Sequence, residues 1–262
     1  MKSGIGDGLI RDISTHRDNE YVLVHGGGPA VTDLCKRLNI ETKFVTSPGG
    51  IRSRYTDAET MSAYLMAMRG NINVSIVLAL QKAGIKSFGM SGIDGPTIIA
   101  ERKKRLVTVN EKGRRMFVEG GYTGRIISVD ISFIQYLLSE EITPVIAPIA
   151  VGSDHEPLNV DGDRAASAIA GGLKAGRMIL LTDVDGIIIN DKTVEKLNLD
   201  QARKMLKLVG NGMDKKLMAA IESIEAGTSE VIIANGNSSM PISDALNSKK
   251  RTVITDDGKQ IC

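Results

Sequence analysis

Residues 21–31 read YVLVHGGGPAV, an apolar, partly β-branched run, then three glycines at 26–28, then a proline that opens a helical pattern. Such a run ending in glycine before a 3.6-residue periodicity predicts a buried parallel strand feeding a helix. The same unit recurs with TPVIAPI (143–149), RMILLTDV (177–184) and EVIIANG (230–236). Between these lie PAVTDLCKRLNI (29–40), ETMSAYLMAMRGNINVSIVLALQKAGI (59–85), DRAASAIAGGLKA (163–175) and GMDKKLMAAIESIEAG (212–227), whose apolar residues return every three to four positions. The expected class is α/β, a three-layer α/β/α sandwich with a mainly parallel central sheet.

One stretch breaks this rhythm. Residues 97–129, TIIAERKKRLVTVNEKGRRMFVEGGYTGRIISV, alternate as strands do and turn at Asn110 to Gly113, predicting a projecting β-hairpin. From Glu101 to Arg125 there are eight Lys/Arg against three Asp/Glu, so the segment carries +5 while the whole chain carries +2. Charge on a hairpin edge is a common guard against aggregation. Concentrated to this degree, it also suits docking of an acidic partner.

The 262 residues suffice for one large α/β unit or two closely packed lobes. A net charge of +2 and the lack of an aromatic stacking platform argue against nucleic acid as partner. Cys35 and Cys262 make no disulfide or zinc framework, which fits a reducing cytoplasm. No uninterrupted apolar run or leader pattern points to a membrane or to export.

Four motifs carry polar chemistry. Gly26, Gly27 and Gly28 leave backbone N–H groups free to face an anion at a helix N-terminus, though three glycines alone more often make only a tight connection. LNVDGDRAASAIA places Asn159, Asp161 and Asp163 beside Gly162 before a small-residue helix, and N-capping accounts for one of those acids but not for all three polar groups. LLTDVDGIII ends an apolar strand at Thr182 and Asp183, with Asp185–Gly186 as a turn on the usual ligand side of a parallel sheet. GNGMDKKLMAA sets Gly210, Gly212 and Met213 before Lys216, a cation in a first helical turn, where the dipole disfavours it unless an anion is near.

In order, VHGGGP, RYTD-ET, NVDGD-AA, LLTDVDG and GMDKK resemble the amino acid kinase family, from about Lys2 to about Gly236. The branch this sequence resembles contains the acetylglutamate kinases and kinases acting on aminoadipate or glutamate attached to a LysW-type amino-group carrier protein. The resemblance implies in-line attack of a carboxylate on the γ-phosphorus of ATP, with Mg2+ arriving on the nucleotide, and no covalent enzyme intermediate. It implies that Lys2 and Lys216 neutralise the transferring phosphoryl oxygens while Asp163 holds those lysines. Gly4, Gly27 and Gly28 would supply backbone donors, with Gly26 in the same substrate turn; Arg54 would pair with the acceptor's spare carboxylate and Asn159 would bind near it. Thr182, Asp183, Asp185 and the segment with Gly210, Gly212 and Met213 would contact the nucleotide. Because the acceptor-type features fall before the LLTDVDG strand, the chain is expected to form an acceptor-binding lobe, 1–175, that includes the basic hairpin, and a nucleotide-binding lobe, 176–262, within a single structural domain; the family resemblance implies a homodimer through the first half.

Two departures from the family pattern bear on function. The usual opening strand ending in Lys-x-Gly-Gly is nearly absent ahead of Lys2, which would fit a shortened central strand or a misplaced start. Around the acceptor, acetylglutamate kinases read G-x-R-V-T-D, whereas this chain reads TSPGGIRSRYTD, and with EGGYTG at 119–124 it resembles the carrier-protein branch. The expected acceptor is therefore carried on a small acidic protein, with free N-acetylglutamate as the alternative and a non-catalytic regulator as a further one.

Overall fold

The computed structural model describes residues 6–50, 52–109, 114–210 and 212–256. The strand leading into the glycine turn is short, Leu23–Val24, and pairs in parallel with Thr143–Ala147, whose other edge pairs in parallel with Ser87–Ser91. All five residues of Thr143–Ala147 are buried, as expected of a central strand covered on both faces. A second sheet runs in the order Pro157–Asn159, Ile149–Val151, Ile98–Arg102, Gly124–Val129.

In the later part of the chain, Arg177–Thr182 and Glu230–Asn235 pair in parallel over six residues, and Arg251–Thr255 joins antiparallel. Their apolar residues meet Leu217, Ala220, Ile221 and Ile224 of the helix Met213–Glu225 in one buried cluster. Helix Gly162–Leu173 packs on the same helix. Asp163 meets Lys216, Arg164 meets Glu222 at 2.9 Å, and Gly171 lies where a Cβ would strike Ala226. Contacts that advance together along both helices mean that the two run in the same direction, with both N-termini at one end.

The long apolar pattern at 59–85 forms a continuous helix, Ala58–Lys82, interrupted by a π-helical stretch, Met66–Asn73. Asp57 caps it by accepting from Thr60 N at 2.9 Å. By length and composition this helix is apolar enough to cross a membrane, yet Met61, Ala63, Tyr64, Ala67, Met68, Ile72, Ile76 and Leu80 belong to the main core.

The predicted hairpin divides into two nested ladders. Its root, Ile98–Arg102 with Gly124–Val129, is part of the second sheet, while Arg105–Val109 pairs separately with Arg115–Glu119. The break comes where Gly120 crosses the backbone of Lys103 and Gly121, at φ +57°, presses on the carbonyl of Thr56, so no side chain fits there. The expected turn at Asn110 to Gly113 lies outside the described residues.

Candidate active site

The glycine turn is braced from behind by the π-helical stretch. A Cβ at Gly27 would run into the ends of the Ile72 and Met68 side chains, so a larger residue there would force both to move. His25, buried just before the turn, accepts from Asn73 Nδ2 at 3.2 Å through Nε2 and donates from Nδ1 to the Gly26 carbonyl at 3.0 Å. Burial holds its pKa below the usual imidazole value, so the ring is neutral with its proton on Nδ1. Asn73 also donates to the Val145 carbonyl at 2.8 Å and accepts from Arg69 Nη1 at 3.1 Å. The turn is thereby tied to the central strand. His25 has a positioning role, because both its ring nitrogens are engaged within the fold.

Arg54 reaches the first turn of helix Gly28–Arg37. Its Nη2 donates to the Gly28 carbonyl at 2.9 Å and to Thr32 Oγ1 at 2.7 Å, and its guanidinium lies 5.0 Å from the Phe44 ring, which Arg52 also covers at 4.4 Å. The Nη1 atom is buried with no hydrogen-bond partner among the described residues. A buried guanidinium nitrogen left unpaired is costly, and a ligand carboxylate is its natural complement. Burial lowers the Arg54 pKa from its very high ordinary value, which still leaves it charged.

Two residues after Arg54, Thr56 is fully buried and accepts from Asn159 Nδ2 at 3.0 Å. The Thr56 carbonyl accepts from Tyr122 N at 2.7 Å, and the Tyr122 carbonyl from Asn159 N at 2.8 Å. Arg102 stacks over the Tyr122 ring at 4.5 Å and donates to the Gly121 carbonyl at 2.6 Å. Strand Arg52–Tyr55, the EGGYTG turn and Asn159 thus form one hydrogen-bonded unit.

Asp161, not Asp163, is the N-cap of helix Gly162–Leu173, accepting from Arg164 N at 3.1 Å. That frees Asp163, in the first turn, to receive Lys216 Nζ at 2.9 and 3.1 Å. A Cβ at Gly162 would come within 4.0 Å of the His25 carbonyl oxygen, so this helix and helix Gly28–Arg37 begin close together. Three helix N-termini, at 28, 162 and 213, are therefore linked through Gly162 and the Lys216–Asp163 pair, an arrangement that favours an anion between them. Lys215, beside Lys216, turns the other way and donates to the Arg52 carbonyl at 3.3 Å. It joins the helix of Lys216 to the strand of Arg54.

The other predicted nucleotide residues lie at two places, the end of strand Arg177–Thr182 with its following turn and the start of helix Met213–Glu225. Thr182 ends its strand, with its hydroxyl donating to Asp183 Oδ1 at 3.1 Å, and Asp183 is exposed. Asp185 accepts from Asn235 Nδ2 at 2.9 Å and lies 3.9 Å from Lys250 Nζ, so it is engaged in holding two strand ends together. Gly212, at φ +96°, precedes helix Met213–Glu225, and Asp214 Oδ1 accepts from both Gly212 N and Lys215 N at 2.8 Å. Met213 faces the core while Gly210 is open. Lys2 and Gly4 lie outside the described residues. Among the described residues, no cluster of three or more His, Cys, Asp and Glu side chains could hold a metal ion.

Sequence reasoning did not find the Asn73–His25 pair, Thr56 as partner of Asn159, or Lys215 as a cross-link. Only Asn73 left a signal, being a polar residue on the buried phase of an otherwise apolar helix.

The amino acid kinase family profile matches residues 7–235. The chain is 49% identical over 247 residues to a protein of Cenarchaeum symbiosum (strain A), covering 94% of this chain and 93% of that one. It is 45% identical over 241 residues to the LysW-aminoadipate/LysW-glutamate kinase of Saccharolobus solfataricus, covering 92% and 90% of the two chains. Carbamate kinase from Giardia lamblia bound to AMP-PNP shares the fold, with a TM-score of 0.67 over 96% of this chain and 90% of that one at 16% identity. With the profile spanning both the glycine turn and the Lys216 helix, the chain belongs to the amino acid kinase family.

Proposed function

We propose that this protein transfers the γ-phosphoryl group of ATP to the terminal carboxylate of aminoadipate or glutamate borne by a small acidic carrier protein in the cytoplasm. The products are an acyl phosphate and ADP. The observation that carries the carboxylate reading is the buried, unpaired Nη1 of Arg54 beside the glycine turn. Arg54 would hold the acceptor's spare carboxylate, leaving the terminal one facing the turn and Lys216. The attacking carboxylate is already ionised at neutral pH and needs no general base. Catalysis is then positioning and charge neutralisation. Lys216 would meet the charge building on the phosphoryl oxygens, and Asp163 would fix its ammonium. Mg2+ would be held mainly by the nucleotide's phosphates and water, because Asp163 and Asp185 are engaged with other side chains and Asp183 is the exposed carboxylate at the strand end.

The carrier reading rests on the relatives' names and on the basic hairpin, whose EGGYTG turn is bonded through Tyr122 to Thr56 and Asn159. Hydroxamate trapping with carrier-linked acceptor and with free N-acetylglutamate tests it, and turnover of the free compound alone would overturn it. A homodimer is also proposed, since Val74 and Leu78 of the long helix, with Phe88 nearby in the chain, leave apolar side chains exposed in the first half. Sedimentation at micromolar concentration should give twice the monomer mass.

A further inference from the structure

The outer hairpin ladder has two unlike faces. Paired residues share a face, and alternate residues along each strand join them. One face holds the pairs Leu106 with Val118 and Thr108 with Met116; Thr108 is buried at 7% exposure and Leu106 and Val118 are half-buried, so this side is turned to the protein, with Met116 exposed at its end. The other carries three successive pairs, Arg105 with Glu119, Val107 with Phe117, and Val109 with Arg115. At its centre Phe117 is 70% exposed, the most exposed large apolar side chain among the described residues, and its cross-strand partner Val107 is 41% exposed.

A single exposed apolar residue calls for no explanation. Here, however, an aromatic ring and its cross-strand neighbour lie together with an arginine at diagonal corners of the same face. An apolar centre within a charged rim is the anatomy of a protein-binding surface, and aromatic residues are common anchors there. The rim sets the sign of the partner, because its two arginines outnumber Glu119 and the surrounding segment 101–125 carries +5. The strand of Phe117 ends at Glu119, and the turn that follows it joins the site: Gly121 and Tyr122 are bonded to Arg102, Thr56 and Asn159.

We propose that the Val107–Phe117 pair is the apolar anchor on which the acidic carrier protein docks, with Arg105 and Arg115 as its cationic rim. This deepens the proposed function and rests on it. The rim brings the partner in and sets its orientation, while Phe117 seated in an apolar pocket of the carrier slows its departure.

The test compares the full-length protein with Phe117→Ala and Phe117→Leu, using the carrier bearing aminoadipate or glutamate as the varied substrate. Phe117→Ala should raise its KM about tenfold with kcat unchanged, and Phe117→Leu should recover most of the loss. The KM for ATP and the melting temperature, measured alongside, should not move. An unchanged KM for the carrier in Phe117→Ala overturns the anchor, as does a change of oligomeric state in that variant, which would assign the patch to a second copy of the chain. Absence of turnover of the carrier-linked acceptor by the unmodified protein overturns the proposed function and the anchor with it.

Discussion

Positive charge occurs in two settings in this protein. Arg54 and Lys216 lie partly buried at the candidate site, each fixed by named partners, whereas Arg105 and Arg115 stand in solvent on the hairpin. The ammonium side chain of Lys216 is 20% exposed and lies on Asp163, itself in a first helical turn. Removing water strengthens the interaction of such a group with a substrate anion, because the effective dielectric falls. Charges in solvent act over a distance of about 8 Å at physiological salt before screening removes them. The buried pair is suited to selecting and stabilising a reacting group. The exposed set is suited to capturing a whole protein.

The difference can be tested in order of expected effect. Lys216→Ala should lower kcat by about a thousandfold with little change in nucleotide affinity, as loss of a group that meets developing charge does; single-turnover phosphoryl transfer beside ATP-binding calorimetry would show it. Arg54→Lys keeps the charge but loses the planar fork, and should raise the acceptor KM by about 10- to 100-fold, at low and high salt alike. The double change Arg105→Ser with Arg115→Ser should cost only about threefold in kcat/KM for the carrier at low salt and nothing near 0.5 M, where screening already masks these charges. If the hairpin change cost as much as Arg54→Lys and ignored salt, the division between selecting and capturing charges would collapse.

Much of this arrangement was legible in the sequence because it is local. The glycine turn, the small-residue helix after NVDGD and the lysine at a helix start are each written in consecutive residues, and the charge of the hairpin is a matter of counting. What escaped depends on distant segments meeting. Asn73 and His25 are 48 positions apart, and nothing at either site names the other. Lys215 and Lys216 are indistinguishable as letters, yet one helical step of about 100° sends one to Asp163 and the other to the Arg52 carbonyl. Asp12 shows the same limit: it reads as an ordinary polar helix residue, but it is fully buried and accepts from Ile242 N, Ser243 N and Ser243 Oγ, closing the start of helix Pro241–Asn247.

The π-helical stretch Met66–Asn73 also has a meaning for descent. A wide turn accommodates an additional residue in a helix, since its hydrogen bonds skip five positions rather than four. Losing one residue there would restore an ordinary helix, but it would rotate all that follows by about 100° relative to all that precedes. Asn73 could then no longer meet His25 while Met68 and Ile72 stayed against Gly27. The number of residues between Arg54 and Gly89 is thus a constraint on lineage, and a gap in that interval would mark a relative whose glycine turn is held by other means.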